Sequence, residues 1–209
     1  MMRSPVILRL ALASTAAIVL SGCVTLLPKS KPVDLYRFGE AGATVSASAP
    51  TGTVGVFRAS SLFQREAGGD QLVTITSGKV AYLAETRWVA PAAVLWDAAV
   101  LTAFDADPGP SRLISRGEAG KIDYVLRLDV RNFEARFDKG LKAAPTIVVR
   151  VRASLTSGSN RTLTGERIFE SQITAADNRV SDIIPAYDRA VAEVLKDIIA
   201  WTNATAVPG

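Results

Sequence analysis

Three runs of alternating apolar and polar residues between Ile122 and Ile173 constrain this chain more than any other feature of it. Ile122, Tyr124, Leu126, Leu128 and Val130 recur at every second position, the period of a strand with one buried face. The phase then slips by one, to Phe133, Ala135 and Phe137. That slip predicts a β-bulge near Arg131-Asn132, which keeps both halves of the strand on the same core. A turn at Asp138-Lys139-Gly140 leads to a second run of Ile147, Val149, Val151, Ala153 and Leu155. Thr156 to Asn160 turns again, and Leu163 to Ile173 returns. Short polar loops between such runs imply an antiparallel meander.

A meander with one apolar face needs cover, and two helical stretches can supply it. The first has Pro91 in its first turn and ends before Pro108. Its core, Val94 to Leu101, is apolar on nearly every side, which fits either deep burial or cover by a partner. The second runs from about Ile183 to Asn203, capped by Ser181 or Asp182. Ile184, Val191, Val194, Leu195 and Ile198 form its apolar stripe. Arg189, Glu193, Lys196 and Asp197 form its wet face, with Arg189 and Glu193 spaced to pair. Upstream, Thr53 to Phe57 reads as a buried strand. Gln71 to Thr76 and Val80 to Leu83 read as a hairpin turning at Ser77-Gly78. Two helices over one sheet give an α/β layered single domain, a mixed sheet with an antiparallel meander and two main helices.

The amino end is built differently. Arg3 and Arg9 precede an apolar run, Leu10 to Leu20, that is short for a membrane span, which needs about 20 residues. A basic start, a short apolar core and small residues after it make a secretory signal. The run ends in Leu20-Ser21-Gly22-Cys23, which resembles the lipobox of bacterial lipoproteins. The resemblance implies cleavage before Cys23 and acylation of its thiol, whose thiolate is a good nucleophile. Cys23 is the only cysteine of the chain, so no disulfide can brace the fold. Residues 1–22 are therefore expected to be a signal peptide, 23–50 a lipidated tether with one short strand at Asp34 to Phe38, 51–203 the folded domain and 204–209 a tail. Two or more acyl chains anchor stably where one does not. Val24 is not aspartate, the residue that retains many such proteins at the inner membrane. The resemblance thus implies the outer membrane, facing the periplasm.

The composition removes several functions. Histidine is absent from all 209 residues, which excludes Ser-His-Asp and Cys-His nucleophile systems and histidine-ligated metals. No phosphate-binding glycine loop is present, and no metal or cofactor is expected. The formal charge of +4 loses Arg3 and Arg9 with the signal, and the remaining basic residues are scattered, so nucleic-acid binding is not expected. Carboxylate chemistry is what remains for an enzyme, with Asp123, Asp129, Glu134 and Asp138 as its candidates. They alternate with apolar strand residues, which is the pattern of a solvated sheet face.

Taken together, the mature chain resembles the ABC-type transport auxiliary lipoproteins, the PqiC-like family. A lipobox, an aromatic strand (Leu35-Tyr36-Arg37-Phe38) and Val54-Gly55-Val56 carry the resemblance. A hairpin leading to Tyr82-Leu83-Ala84-Glu85-Thr86-Arg87-Trp88-Val89-Ala90-Pro91 continues it. The meander and a last helix ending in Trp201 complete it. It implies a non-enzymatic accessory of an intermembrane lipid transport system, receiving or capping a periplasmic conduit. The implied partners are an MCE-domain protein and an ABC permease and ATPase, in some cases with the lipoprotein as a homo-oligomeric ring. A scaffold for another envelope machine, such as lipopolysaccharide export or secretion, is the alternative. Trp88 and Trp96 are the candidate interface anchors, since tryptophan is enriched at binding hot spots. For Trp88, beside Pro91, the favoured reading is packing between the hairpin and the first helix, with the interface as the alternative.

Overall fold

The structure, a computed structural model, describes residues 32–39 and 52–207. In chain order the elements are β1 (Asp34–Tyr36), β2 (Val54–Arg58), β3 (Gln71–Thr76), β4 (Lys79–Trp88), α1 (Ala92–Ala106), β5 (Ser111–Ile114), β6 (Tyr124–Arg136), β7 (Thr146–Ser157), β8 (Leu163–Thr174) and α2 (Val180–Thr205). The strands form one mixed eight-stranded sheet, and the helices pack on it, which is the expected α/β layering.

β6 is the spine. Along one edge it pairs antiparallel with β7, and β7 pairs antiparallel with β8, so the meander is as the alternation predicts. The register on β6 shifts between Val130 and Asn132, where the phase slip in the sequence placed a bulge. The opposite edge of β6 is shared. β2 runs parallel to its first half (Val56 opposite Tyr124), and β3 runs parallel to its last residues (Thr74 opposite Ala135). Between them Phe63 bridges to Val130, with the Val130 N–H donating to the Leu62 carbonyl at 2.8 Å and the Gln64 N–H donating to the Val130 carbonyl at 2.9 Å. From this edge the sheet forks. β2 continues to β5 in parallel, and β3 continues through its hairpin partner β4 to β1, also in parallel.

The hairpin is longer than its sequence pattern suggests. β4 extends to Trp88, and its register against β3 jumps between Val73 opposite Tyr82 and Gln71 opposite Arg87. The extra residues, Leu83 to Thr86, bulge out, with Glu85 at a φ of 56°. β5, which the sequence analysis leaves unassigned, follows α1 directly. Gly55 is required where β2 passes the loop before β6. A Cβ there would lie 1.8 Å from the Lys121 carbonyl oxygen.

Both helices start differently from expectation. Pro91 is the N-cap of α1 and not part of its first turn. No side chain caps the helix. The N–H groups of Ala92 and Ala93 donate instead to the carbonyls of Gly69 and Gly68, at 2.8 and 3.3 Å. α2 begins at Val180 with Arg179 as N-cap, so Ser181 and Asp182 lie inside the first turn and neither caps it. Asp182 there still complements the helix dipole. Pro185 sits within the helix, where its missing N–H leaves one carbonyl of the first turn without its usual donor. Glu193 does not meet Arg189 but accepts from the Ser171 hydroxyl at 2.7 Å, tying α2 to β8.

The core holds an aromatic cluster. Phe38 lies 5.0 Å from Trp88 and 4.9 Å from Phe133, and Tyr187 lies 5.2 Å from Trp88 and 5.0 Å from Phe133, all between ring centroids. Phe38 therefore draws the short segment beginning at Val33 into the body, ahead of the boundary expected at residue 51. Gly39, at a φ of 91°, turns the chain immediately afterwards, and its N–H donates to the Asp188 carboxylate at 2.6 Å.

Candidate functional site

The two tryptophans singled out from the sequence are not on the surface. Trp88 is 2 % exposed and Trp96 0 %. Trp88 stacks edge-on against Phe38 and Tyr187, which is the packing reading of that residue. As interface anchors both need correction, because the chain's own core covers them. What α1 does present outward is Val94, 56 % exposed, and Leu101, 38 % exposed, beside Val89 in the preceding loop. The helix is thus neither wholly buried nor wholly bare. Ala92, Trp96, Ala99, Val100 and Phe104 face the core, and an apolar strip is left in solvent.

The carboxylates also need correction. Asp129 and Glu134 are buried rather than solvated, because the segment from Ala59 to Gln64 folds over their end of β6. The Leu62 N–H donates to Asp129 at 3.0 Å, and Arg127 reaches the same oxygen at 2.9 Å. Burial alone would raise the Asp129 pKa. The Leu62 N–H and Arg127, with Arg131 nearby, outweigh it and hold the carboxyl below its usual range. Glu134 accepts from Arg136 at 2.8 Å and from the Gln64 amide at 3.3 Å. Asp123 accepts the Gly55 N–H at 2.9 Å and pairs with Lys121, which lowers its pKa, while Asp138 is exposed. Asp123, Asp129 and Glu134 thus serve separate structural bonds, and no two of the four share a hydrogen bond among the described residues. Beyond them the open face of the meander is a lattice of ion pairs, Arg150 with Glu170 and Arg152 with Glu166. Tyr187 adds no acid–base group. Burial, with the charge of Glu134, pushes its phenol far up, so it stays neutral.

One concave feature of the body is a groove of about 330 Å³ between α1 and α2. Ala99, Thr102, Ala103 and Ala106 form one wall and Val191, Ala192, Leu195 and Ile199 the other, with Gly39 and Pro108 also in the lining. Small residues spaced three and four apart on α1 set that wall back, while the larger α2 side chains give the groove its depth. Two charged side chains line it. Asp107 is committed, since its carboxylate accepts from the Gly109 N–H at 3.0 Å and the Asn203 amide at 2.8 Å. Lys196 is exposed and makes no ion pair among the described residues. By periodicity alone Val191 and Leu195 belong to the core stripe and Lys196 to the wet face. The signal left unread is the recurrence of alanine at 99, 103 and 106, three and four residues apart along one side of the helix.

Leu20, Ser21, Gly22 and Cys23 lie outside the described residues. No described helix is long and apolar enough to cross a membrane, and no cluster of ligating side chains that could hold a metal occurs among the described residues.

The described body is a layered α/β domain with an apolar groove between its two helices. The family model for the ABC-type transport auxiliary lipoprotein component matches residues 65–199, and the chain belongs to that family. Protein XCC0632 from Xanthomonas campestris shares the fold, at a TM-score of 0.65 and 18 % identity over 83 % of this chain and 94 % of that one. So does the hypothetical protein CT253 from Chlamydia trachomatis, at 0.51 and 10 % over 73 % and 97 %. No curated protein sequence matches the chain.

Proposed function

We infer that this chain is an outer-membrane lipoprotein, acylated at Cys23 and facing the periplasm, that serves an MCE/ABC-type intermembrane lipid transport system. It receives or caps the periplasmic conduit and carries no active site of its own. Residues 1–22 are the signal, and the segment after Cys23 is the tether. The observation that carries this reading is membership of the auxiliary lipoprotein family over residues 65–199. The lipobox supports the anchoring and Val24 the outer membrane.

The partner surface is the outer strip of α1, where Val89, Val94 and Leu101 lie in solvent over the buried tryptophans. It meets the MCE protein or a second copy in a ring. The test is capture of the membrane-anchored chain from its own cells after crosslinking. Recovery of an MCE protein and an ABC permease is the expected result, with loss of both on Val94→Asp. Recovery of an outer-membrane barrel or a secretin in their place overturns it in favour of a scaffold for lipopolysaccharide export or secretion.

A further inference from the structure

We propose that the groove between α1 and α2 holds one acyl chain of an anionic phospholipid, with Lys196 at the rim facing the headgroup. The proposal rests on the transport reading above and names the ligand class that would occupy this body.

The shape of the groove selects its occupant. A helix is about 10 Å across and rises 1.5 Å per residue, so 330 Å³ accommodates roughly three residues of one. A partner helix therefore cannot be enclosed by it. An extended peptide needs backbone donors and acceptors to pair with, and those of both walls are spent within their own helices. An unbranched hydrocarbon needs neither width nor hydrogen bonds. The lining of Ala99, Ala103, Val191, Leu195 and Ile199 offers it carbon on both sides. Each methylene so buried strengthens binding about fourfold.

Charge selects the headgroup. Of the two charged side chains in the lining, Asp107 keeps its charge but is tied by the Gly109 N–H and the Asn203 amide to the end of the groove beyond α1. Lys196 is exposed and has no partner among the described residues, and a lysine stem is long enough to lie along an apolar wall with its ammonium in water. A chain with a negative headgroup satisfies both halves of the groove, whereas a cationic headgroup would meet an uncompensated lysine.

The experiment labels cells producing the full anchored chain with a photoreactive fatty acid that enters the phospholipids. After irradiation the purified protein is mapped by mass spectrometry. The expected result is phospholipid adducts on α1 between Ala99 and Ala106 and on α2 between Val191 and Ile199, with none at the exposed β8 residues Leu163 and Ile168. Ala103→Trp fills the groove and should cut this labelling by about tenfold or more. Lys196→Glu, on an exposed position that does not support the fold, should cut it by about fivefold. Equal labelling of β8, or labelling indifferent to Lys196→Glu, overturns the proposal. So does an adduct joining the groove to the acylated Cys23 peptide, since the occupant would then be the protein's own anchor. Co-purification from the same cells separates the two readings. Adducts without an MCE or ABC partner refute the transport role, and partners without adducts refute the groove.

Discussion

Truncating Trp88 to alanine should unfold this domain more readily and leave its surface contacts unchanged below the transition. The indole is 2 % exposed and touches Phe38, Phe133 and Tyr187, with centroids 5.0, 6.3 and 5.2 Å away. Removing a buried tryptophan costs about 3–5 kcal/mol through lost transfer energy and the cavity left behind. The edge-on pairs with Phe38 and Tyr187 each carry about 0.5–1.5 kcal/mol beyond area, a share that overlaps the cavity cost. Against a total stability of about 5–15 kcal/mol, that is about a fifth or more of what holds the domain together. At about 2–4 °C per kcal/mol for a domain of this size, the midpoint should fall by roughly 6–20 °C. Scanning calorimetry or near-ultraviolet circular dichroism of the purified mature protein reads the shift. Sedimentation well below the midpoint reads association with itself and with its partner. A midpoint moved by less than about 2 °C, together with weakened association, would return Trp88 to the interface and refute the packing argument.

Three further outcomes are expected. Asp129→Asn should cost about 1–3 kcal/mol by weakening the bonds to Arg127 and the Leu62 N–H. It should also change the acid limb. The folded pKa of Asp129 lies below its unfolded value of about 3.9, so the stabilisation is present above that value and is lost as pH falls through the folded pKa. Urea midpoints measured from neutral pH down to about pH 2 should therefore fall less steeply in the variant. Gly55→Ala should destabilise by about 1–3 kcal/mol or more, because the new methyl meets the Lys121 carbonyl oxygen, and urea unfolding with soluble yield checks it. Cys23→Ser should release the protein from membranes and abolish its labelling by fatty acid, and retention with label would refute the anchor.

How far the sequence reached depends on how local the determinants are. The meander and its bulge were legible because alternation and a phase slip are properties of neighbouring residues, and β6, β7 and β8 are joined by short turns. The parallel pairs were not. β1 meets β4 and β2 meets β6 across some 50 to 70 residues, and nothing local in Asp34 to Tyr36 names Thr86 to Trp88 as its partner. β5 is four residues with only Leu113 and Ile114 apolar, too short to show a period. The burial of Asp129 and Glu134 was hidden for the same reason, since the segment that covers them lies 70 residues upstream. Trp96 misled because an apolar helix signals burial without saying whether the cover is intramolecular. The groove left only the alanines at 99, 103 and 106 as a trace, and the depth it needs comes from α2.

The shared edge of β6 also dictates when this protein can become itself. Synthesised from the amino end, the chain delivers β1 through β5 before residue 124 arrives, and of the pairings among them only the β3–β4 hairpin joins neighbours in sequence. β2 and β3 wait for the strand they will both lie against, and β1 waits on an arm that hangs from β3. Pairings this distant in sequence make folding slow, on the order of milliseconds to seconds, and they complete almost together. During that interval two apolar strands stand with unpaired edges, the condition in which chains join their neighbours. Residence time in an escorted, unfolded state thus follows from the topology, and synthesis halted anywhere before β6 yields a chain without a spine.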